Sequence, residues 1–435
     1  MAAPDTAPPV TGTTVARNAS AAFTGQLAIL VMSFVATGVI VRELGARAYG
    51  TWSLVAAVVA YAGLLDLGLG VSLVRRIAES ERGDDRASSG EAMGAALVVT
   101  AFMGVVAAAL IWLLAGQAAT VLKVPAELRG DFVSAMRIAA IGAGVALPGS
   151  ALGAAAAALQ KLPWIIRLEV AVTLLTLSAQ LLLTVSGGGI TALAAAFAAG
   201  RGLSLAGRWV IARRLLRGTA FRSSPRYPFW TSLGRFGLLK AVHQLLSQIV
   251  LYLDRLLVGA MVSVEAVAYY TVALELSQRL LMVQSNVAQA YYPAACALAS
   301  DRPALRKLYR RAAGSVALFT LPAALLLALF ARPILALWVG ADFADHAAPV
   351  LAIAALAYGG MSLTAIPSVT ADALDQPGLS VRYGLASVAI NVVLALILIP
   401  RLGAAGAAWA ILGNVVLQGP FFVLAVNRLM NRRAA

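Results

Sequence analysis

Long apolar stretches separated by short polar loops make up nearly all of this chain of 435 residues. A helix needs about 20 apolar residues to cross the hydrocarbon core of a bilayer, and its backbone must satisfy its own hydrogen bonds there. The stretches meet this length, so we predict an all-α polytopic membrane protein with twelve transmembrane spans. The predicted spans are Ser20–Val41, Thr51–Val74, Ala92–Ala115, Phe132–Leu159, Trp164–Ser186, Ile190–Ala212, Leu238–Met261, Val267–Ala297, Ala312–Leu329, Ala347–Ala371, Leu379–Ile399 and Ala404–Val426.

Composition agrees with this pattern. Hydrophobic residues make up 61% of the chain, charged residues 12%, and the mean hydropathy is +0.85, whereas globular proteins are about half apolar and about a quarter charged. The net charge of +15 is spread over the loops and forms no single basic face, so we expect no nucleic-acid partner. One cysteine, Cys296, and two histidines, His243 and His346, are too few for a typical zinc site. The chain also has no P-loop, and we predict no metal and no cofactor.

The distribution of basic residues predicts the orientation in the membrane. The even-numbered loops and both tails hold roughly four times as many Lys and Arg residues as the odd-numbered loops, which places both termini in the cytoplasm. Residues 1–19 are rich in Pro, Ala and Thr and lack the basic start of a signal peptide. The predicted organisation is a cytoplasmic tail over 1–19, an N-lobe over 20–212, a basic cytoplasmic linker over 213–237, a C-lobe over 238–427 and a cytoplasmic tail over 428–435.

The two predicted lobes of six helices share a sequence pattern. The hairpin ALQKLPWIIR, ending at Arg167, and the hairpin ALDQPGLSVR, ending at Arg382, each carry Ala-Leu, then a helix-breaking Pro, then Arg. Six helices return the chain to the same side of the membrane, so the two halves have parallel topology. Transporters built from such halves place the substrate path between them, which makes alternating-access transport the leading hypothesis.

Polar residues inside the predicted spans are candidate site residues, because charges in hydrocarbon usually face a cavity or a partner. In span 7, Lys240 and Asp254 lie on one helical face, and His243 and Arg255 belong to the same span. One interpretation is that these four residues line a water-filled path for a charged headgroup. The alternative is that Lys240 and Arg255 extend to the two membrane interfaces and do not bind substrate.

Spans 6 and 8 contain further charges. Glu275 and Arg279 in span 8 lie one helical turn apart and either form a self-neutralising pair or contribute to the path. Arg201 lies near the middle of span 6, which contains no acid, and it binds an anionic substrate unless it pairs with Asp66 of span 2. The candidate substrate-binding residues are Arg201, Lys240, His243, Arg255 and Arg279. The candidate ion-coupling residues are Asp66, Asp254 and Glu275.

One stretch also carries a family resemblance. The run VRELGARAYGTWSLVAAVVAYAGLLDLGLGVSLVRRIAE, from Val41 to Glu79, resembles the signature of bacterial polysaccharide-biosynthesis membrane proteins, the Wzx-type oligosaccharide flippases. The runs YLDRLLVGAMVSVEAVAYYTVAL and NVVLALILIPRLGAAGAAWA support the resemblance. It implies the MOP exporter superfamily, which also holds the MATE transporters and the MurJ-type flippases, and a V-shaped fold.

The resemblance also implies a function. The implied function is that of a flippase or exporter, which moves a polyprenyl-pyrophosphate-linked oligosaccharide, an O-antigen or exopolysaccharide repeat unit, across the bacterial cytoplasmic membrane. The implied partners are this lipid-linked oligosaccharide, membrane lipids, a polysaccharide polymerase, glycosyltransferases and a coupling ion, H⁺ or Na⁺. The alternative is a MATE-like cation-coupled multidrug antiporter, although a basic interior has the wrong sign for organic cations. An integral-membrane enzyme is disfavoured because the outer loops are short and carry no cluster of acids or histidines.

Overall fold

The computed structural model describes residues 12–66, 69–82, 85–216, 219–221 and 252–431. All regular structure in these ranges is helical, and a 3-10 segment, Tyr61–Asp66, precedes the second α-helix. The α-helices are α1 Gly12–Ala60, α2 Leu69–Arg82, α3 Arg86–Val121, α4 Ala126–Ala158, α5 Leu162–Val185, α6 Gly189–Leu215, α7 252–261, α8 Val264–Gln278, α9 Leu281–Ala297, α10 Arg302–Leu329, α11 Ala331–Val339, α12 Ala341–Ser362, α13 Ala365–Ala373, α14 Pro377–Leu402 and α15 Ala404–Asn431.

Nine helical stretches in the described ranges are long and apolar enough to cross a membrane. Their outward faces carry large apolar side chains that remain at least 69% exposed, such as Leu113, Leu182, Leu318 and Phe421. Apolar surface of this extent is stable only against lipid. The predicted all-helical, multi-pass membrane fold is therefore confirmed. The count of twelve spans stays a prediction, because most of span 7 lies outside the described residues.

The chain divides into two compact units. Unit 1 comprises Met1–Ile40, Ala62–Leu114 and Ser134–Gln244, and unit 2 comprises Val41–Tyr61, Ala115–Val133 and Leu245–Ala435. In unit 1, Ile77 of α2, Met93 of α3 and Leu152 of α4 are fully buried in one hydrophobic cluster. The cluster of unit 2 joins α9, α10, α13 and α15 and includes Leu305 and Val426, both fully buried.

Turn geometry recurs in the two hairpins that the sequence pattern predicts to correspond. Gln160 follows α4 with φ 55°, and Asp375 follows α13 with φ 56°. In each turn the next residue's N–H donates to a carbonyl five residues back, from Lys161 to Ala156 at 2.7 Å and from Gln376 to Ala371 at 2.9 Å. This is the Schellman helix ending. In each hairpin a proline then starts the following helix, α5 or α14.

Three helix breaks lie inside predicted spans. A fourth lies in a segment that the apolar pattern predicts as a loop. Helix α1 runs through the predicted first outer loop and breaks only at Gly45, which has φ 73°. The 3-10 segment Tyr61–Asp66 interrupts predicted span 2. Predicted span 8 breaks at Arg279, between α8 and α9, and predicted span 10 breaks at Leu363, between α12 and α13. At the last two breaks the backbone forms hydrogen bonds to the third residue back instead of the fourth, for example from Arg279 to Leu276 at 3.1 Å.

Short helix α11 occupies a segment that the sequence pattern assigns to a loop between spans 9 and 10. Leu335 and Val339 are buried, whereas Leu337 on the opposite side is 83% exposed.

Helices α3 and α4 of unit 1 approach each other at a pair of glycines. A Cβ placed on Gly104 would meet the carbonyl oxygen of Gly144 at 2.3 Å, and a Cβ on Gly144 would meet the oxygen of Gly104 at 2.6 Å. Real Cβ atoms do not approach backbone oxygens this closely, so both positions require glycine. Membrane helices use such small residues to bring their backbones together.

We predict that Gly104→Ala lowers the stability of the detergent-solubilised protein by about 1–3 kcal/mol, the usual cost of overpacking. The measurement is the apparent midpoint of thermal unfolding, which is monitored by size-exclusion chromatography of heated samples. Gly116→Ala is the matched control on the same helix, because a Cβ there meets no atom within 4 Å. Equal midpoints for the two variants would show that the α3–α4 approach does not depend on Gly104.

Candidate intramembrane binding sites

Unit 1 contains a polar cleft between α5 and α6, with a volume of about 220 Å³. Helix α5 contributes Glu169, Thr173, Thr176 and Gln180, spaced by three or four residues and therefore on one helical face. Helix α6 contributes Phe197, Gly200, Arg201 and Ser204, whose i, i+3, i+4, i+7 pattern also places them on one helical face. The helices close in tightly at Gly200, where a Cβ would meet Thr176 Oγ1 at 2.1 Å. A polar stripe on each helix thus forms one cleft within a membrane-spanning hairpin.

Glu169 is the centre of the polar contacts of this cleft. Ser204 Oγ donates to its Oε1 at 2.6 Å, and Arg208 Nε donates to the same oxygen at 3.0 Å. Arg208 Nη1 also donates to the carbonyl of Gly149 on α4 at 2.8 Å. Both charged side chains are partly buried, with 31% of Glu169 and 21% of Arg208 exposed. Arg208 is therefore held in place by an acid on α5 and a backbone oxygen on α4.

Arg201 lines the cleft, as a candidate binding residue is expected to do. Its guanidinium lies over the ring of Phe197, 5.1 Å from the centroid, and it interacts electrostatically with Glu169. Arg201 and Arg208 together with Glu169 give two positive charges and one negative charge at this place. The predicted alternative is an ion pair between Arg201 and Asp66. The side chain of Asp66 is not among those that the structure describes, so this alternative stays a prediction.

Unit 2 contains a buried polar network around Asp254 of α7, whose side chain is 5% exposed. Tyr270 of α8 donates to Asp254 Oδ2 at 3.0 Å, and Asn391 of α14 donates to Oδ1 at 3.3 Å. The side-chain oxygen of Asn391, Oδ1, is buried and has no hydrogen-bond partner among the described residues. A carboxylate and an unpartnered amide oxygen so placed are typical ligands for a hard cation or a proton.

Aromatic hydroxyls and a second charge surround this carboxylate. Arg255 lies over the ring of Tyr252 at 5.3 Å, and its Nε is buried without a partner in the described part of the chain. Tyr61 packs edge-on against Tyr252 with 6.2 Å between ring centroids. The buried Tyr358 interacts electrostatically with both Asp254 and Arg255. The predicted residues Asp254 and Arg255 therefore share one network.

Glu275 and Arg279 lie next to the break in predicted span 8. Tyr49 of α1 donates to Glu275 Oε1 at 3.3 Å, and Gln278 donates to the hydroxyl of Tyr358 at 3.2 Å. Arg279 is exposed and caps the end of α8. Tyr49 also interacts electrostatically with Arg255, so Glu275 is linked through one tyrosine to the network of Asp254.

An ion pair joins α1 and α8 at the predicted outer end of unit 2. Arg47 Nε lies 2.6 Å from Glu265 Oε1. Partial burial acts to raise the pKa of Glu265, but hydrogen bonds from its own backbone N–H, from Ser263 and from Arg47 outweigh it and lower the pKa below its ordinary value.

Two of the predicted binding residues, Lys240 and His243, lie outside the described residues, and their roles stay predictions. The sequence argument missed Glu169 and Asn391, which each contribute a central contact. Both interrupt apolar runs, LPWIIRLEVAVTLL and VAINVVLALI. A polar residue in such a run is expensive in hydrocarbon, and this signal was sufficient to mark them as candidates.

Known structures share this fold. The chain superposes on an inward-facing multidrug resistance MATE family transporter of the MOP superfamily with a TM-score of 0.77, at 15% identity over 93% of this chain and 96% of that chain. It superposes on the lipid II flippase MurJ with a TM-score of 0.75, at 13% identity over 93% and 87%. A MOP superfamily transporter from Pyrococcus furiosus gives a TM-score of 0.64, at 16% identity over 95% of both chains.

These likenesses define the class of protein: a multi-pass membrane protein with the fold of the MOP-superfamily transporters. The sequence itself matches the family of polysaccharide biosynthesis proteins over residues 39–349. The chain belongs to that family. No curated protein matches the chain.

The ion pair of the unit 1 cleft is open to a double-mutant test. We predict that Glu169→Gln and Arg208→Gln each lower the apparent thermal midpoint, and that the double variant loses less than the two single losses together. The coupling is expected on the order of 1–2 kcal/mol, the upper range for polar contacts between membrane helices. Each single change removes one partner of this ion pair and leaves the other behind, whereas the double change removes both.

The exposed pair Arg75 and Glu79, at 2.8 Å on the surface of α2, is the matched control. The same three substitutions there should change the midpoint little, because exposed ion pairs contribute little. Strictly additive losses for Glu169 and Arg208 would show that their contact is not an energetic unit.

Proposed function

We propose that this protein is a flippase that exports a polyprenyl-pyrophosphate-linked oligosaccharide, an O-antigen or exopolysaccharide repeat unit, across the bacterial cytoplasmic membrane. The observation that carries the proposal is the pair of arginines, Arg201 and Arg208, on one face of a membrane-spanning helix. A pyrophosphate crossing a bilayer needs guanidinium donors, and Arg forms strong, charge-assisted hydrogen bonds to phosphate oxygens. Membership of the polysaccharide biosynthesis family supports a sugar-bearing cargo.

The cleft of unit 1 suits the phosphate portion of such a cargo. Its volume of about 220 Å³ is too small to enclose an oligosaccharide, so it takes the charged group next to the lipid. Thr173, Thr176 and Gln180 provide hydrogen-bonding groups along the wall that lies opposite Arg201. Most of the isoprenoid chain stays in the bilayer, and the two predicted lobes alternate in exposing the headgroup to the two sides.

The network of unit 2 suits a coupling cation. Asp254 accepts a hydrogen bond from Tyr270, and Glu275 accepts one from Tyr49, which also interacts electrostatically with Arg255. We propose that Asp254 binds H⁺ or Na⁺ in exchange for outward movement of the cargo. Asp66 and Glu275 are the further candidates. The proposed orientation has both termini in the cytoplasm, and the proposed partners are membrane lipids, a polysaccharide polymerase and glycosyltransferases.

The second candidate function is that of a MATE-like cation-coupled multidrug antiporter. The buried carboxylate of Asp254 favours it, since an acid of this kind attracts an organic cation as well as a metal ion or a proton. The arginines of unit 1 oppose it, because they repel such cargo. The two functions therefore differ in which cargo moves, an anionic lipid or a soluble cation.

We predict that Arg201→Gln slows flipping of a fluorescent polyprenyl-pyrophosphate oligosaccharide in proteoliposomes by about tenfold or more, the loss of one charge-assisted hydrogen bond. Lys240→Gln and Arg279→Gln are expected to slow it as well. The measurement is the protection of the fluorophore from a membrane-impermeant quencher. Arg214→Gln, an exposed charge in the last turn of the same helix, is the control and should flip at the wild-type rate. Normal flipping by all three test variants, or wild-type export of ethidium without flipping of the lipid, would contradict the proposal.

We predict that Asp254→Asn removes the dependence of flipping on an ion gradient. Wild-type proteoliposomes should flip faster under an imposed gradient of either pH or Na⁺, because the cation that Asp254 binds returns down that gradient. The asparagine keeps the size of the side chain but lacks the charge. Asp345→Asn, which changes an exposed acid paired with Arg332 at 2.7 Å, is the control. A gradient response that survives in Asp254→Asn would assign coupling to another residue.

A further inference from the structure

Unit 1 contains a second, larger cavity on the other side of α6. This cavity, hereafter the apolar cleft, lies between α3, α4 and α6 and has a volume of about 550 Å³. Its lining includes Gly94, Ala101, Pro148, Gly202, Ala206 and Trp209. The small side chains leave the space, and a Cβ added at Gly202 would meet no atom within 4 Å. Val98 and Trp209 on its rim remain 56% and 43% exposed, so the cleft opens sideways to lipid.

One end of the apolar cleft carries a positive charge seated on its own lining. Phe221 and Trp209 both line the cleft and pack edge-on with 5.6 Å between centroids. The guanidinium of Arg213 lies over both rings, at 5.1 Å from Phe221 and 5.7 Å from Trp209. Arg213 is exposed, and its hydrogen bond to the carbonyl of Thr219 is long at 3.4 Å. Within the described part of the chain, its guanidinium is therefore accessible to an anion at this end.

The segment that carries Phe221 is fixed against α3. A Cβ on Gly90 would meet the carbonyl oxygen of Ala220 at 2.6 Å and the side chain of Thr219 at 3.2 Å. Thr219 is buried and donates to the carbonyl of Leu216 at 2.7 Å. The aromatic and basic end of the cleft is thus built into the fold. On the predicted orientation this end faces the cytoplasm, where α3 begins and α6 ends.

Helix α6 separates the two cavities of unit 1. Arg201 and Ser204 line the polar cleft, whereas Gly202, Leu205 and Trp209 line the apolar cleft. From Gly202 to Trp209 the apolar cleft extends along about 10 Å of helix. A ligand with one apolar chain and a phosphorylated head can place the chain along one side of α6. Its head can then reach the arginines of the polar cleft, Arg201 and Arg208, on the other side.

We propose that the apolar cleft is the loading site for the first isoprene units of a polyprenyl phosphate or pyrophosphate, with the phosphate held by Arg213. This inference rests on the proposed function and extends it, because it names where the lipid part of the cargo docks before the headgroup moves. The charge of Arg213 matches the phosphate, and the lining matches the hydrocarbon. A single cleft accommodates a single chain, which favours a polyprenyl lipid over a phospholipid with two acyl chains.

The test uses the full-length protein in nanodiscs and three photoactivatable probes. The probes are a polyprenyl phosphate with a diazirine in its first isoprene units, the same polyprenol without phosphate, and a phosphatidylglycerol with a diazirine in one chain. Labelled peptides are identified by mass spectrometry. The polyprenyl phosphate is expected to label peptides of α3 and α6 more strongly than either of the other probes.

Two sets of variants locate the site, one for the lining and one for the charge. Gly202→Leu fills the cleft and should reduce labelling by about tenfold, the loss of roughly two buried methylene contacts. Ala206→Leu is a second filling variant, and Gly116→Leu, at an exposed position with no neighbour within 4 Å, should change nothing. Arg213→Gln should reduce labelling by the polyprenyl phosphate to the level seen with the polyprenol. Arg214→Gln, which changes the exposed neighbouring arginine, should leave this labelling unchanged.

Three outcomes would overturn the inference: equal labelling by phosphatidylglycerol, no labelling by any probe, or undiminished labelling in both filling variants that elute as monodisperse protein. The first would make the cleft a general lipid contact, and the second would mean that protein covers it. The flipping assay separates this inference from the proposed function. Labelling at α3 and α6 without flipping would retain the cleft and reject the flippase, and flipping without such labelling would do the reverse.

Discussion

A charge in hydrocarbon is costly unless another charge or a set of hydrogen bonds compensates it, and this cost organises the interior of both units. In unit 1, Glu169 accepts from Ser204 and Arg208, and Arg208 also reaches a carbonyl of α4. One acid therefore holds an arginine in a membrane-spanning hairpin, with a second arginine, Arg201, in the same cleft. The compensation stabilises the site, and the excess of basic over acidic groups is the reason for proposing that it binds an anion.

Unit 2 meets the same cost with hydroxyls and amides. Asp254 is buried, and its two oxygens accept from Tyr270 and Asn391. Neutral donors of this kind stabilise a carboxylate without forming a fixed ion pair with it, so the acid remains able to bind a cation. Two arginines surround one acid, Glu169, at the site of unit 1, whereas Asp254 and Glu275 lie near Arg255 in unit 2. This difference is the basis for proposing that unit 1 binds the cargo and unit 2 the coupling ion.

The breaks in the helices accompany these polar residues. Predicted span 8 breaks at Arg279, directly after Gln278 contacts Tyr358, and predicted span 10 breaks five residues beyond Tyr358. A break leaves backbone groups without regular partners, which a membrane tolerates only where protein or a cavity covers them. At both breaks, hydrogen bonds to the third residue back satisfy part of the backbone, for example from Leu363 to Gly360 at 3.1 Å.

The apolar pattern predicted the class of fold, because burial in lipid requires long apolar helices whatever their partners. Matching hairpins were also predictable, since a proline and the preceding turn residue fix local geometry, as Gln160 and Asp375 show. Contacts between distant segments were not. Asn391 lies 137 residues from Asp254, and a single sequence carries no record of such pairs. The break at Arg279 has neither proline nor glycine beside it, so local propensity could not reveal it.

The most direct measurement of the central claim is the dipolar coupling between ³¹P of a bound polyprenyl-pyrophosphate oligosaccharide and ¹⁵N of the arginine side chains, recorded by solid-state NMR in lipid. Our account predicts a coupling between phosphorus and guanidinium nitrogen at hydrogen-bonding distance, and a reduction of this coupling in Arg201→Gln but not in Arg75→Gln. A bound lipid whose phosphorus shows no coupling to arginine nitrogen, or whose coupling is unchanged in Arg201→Gln, would contradict it.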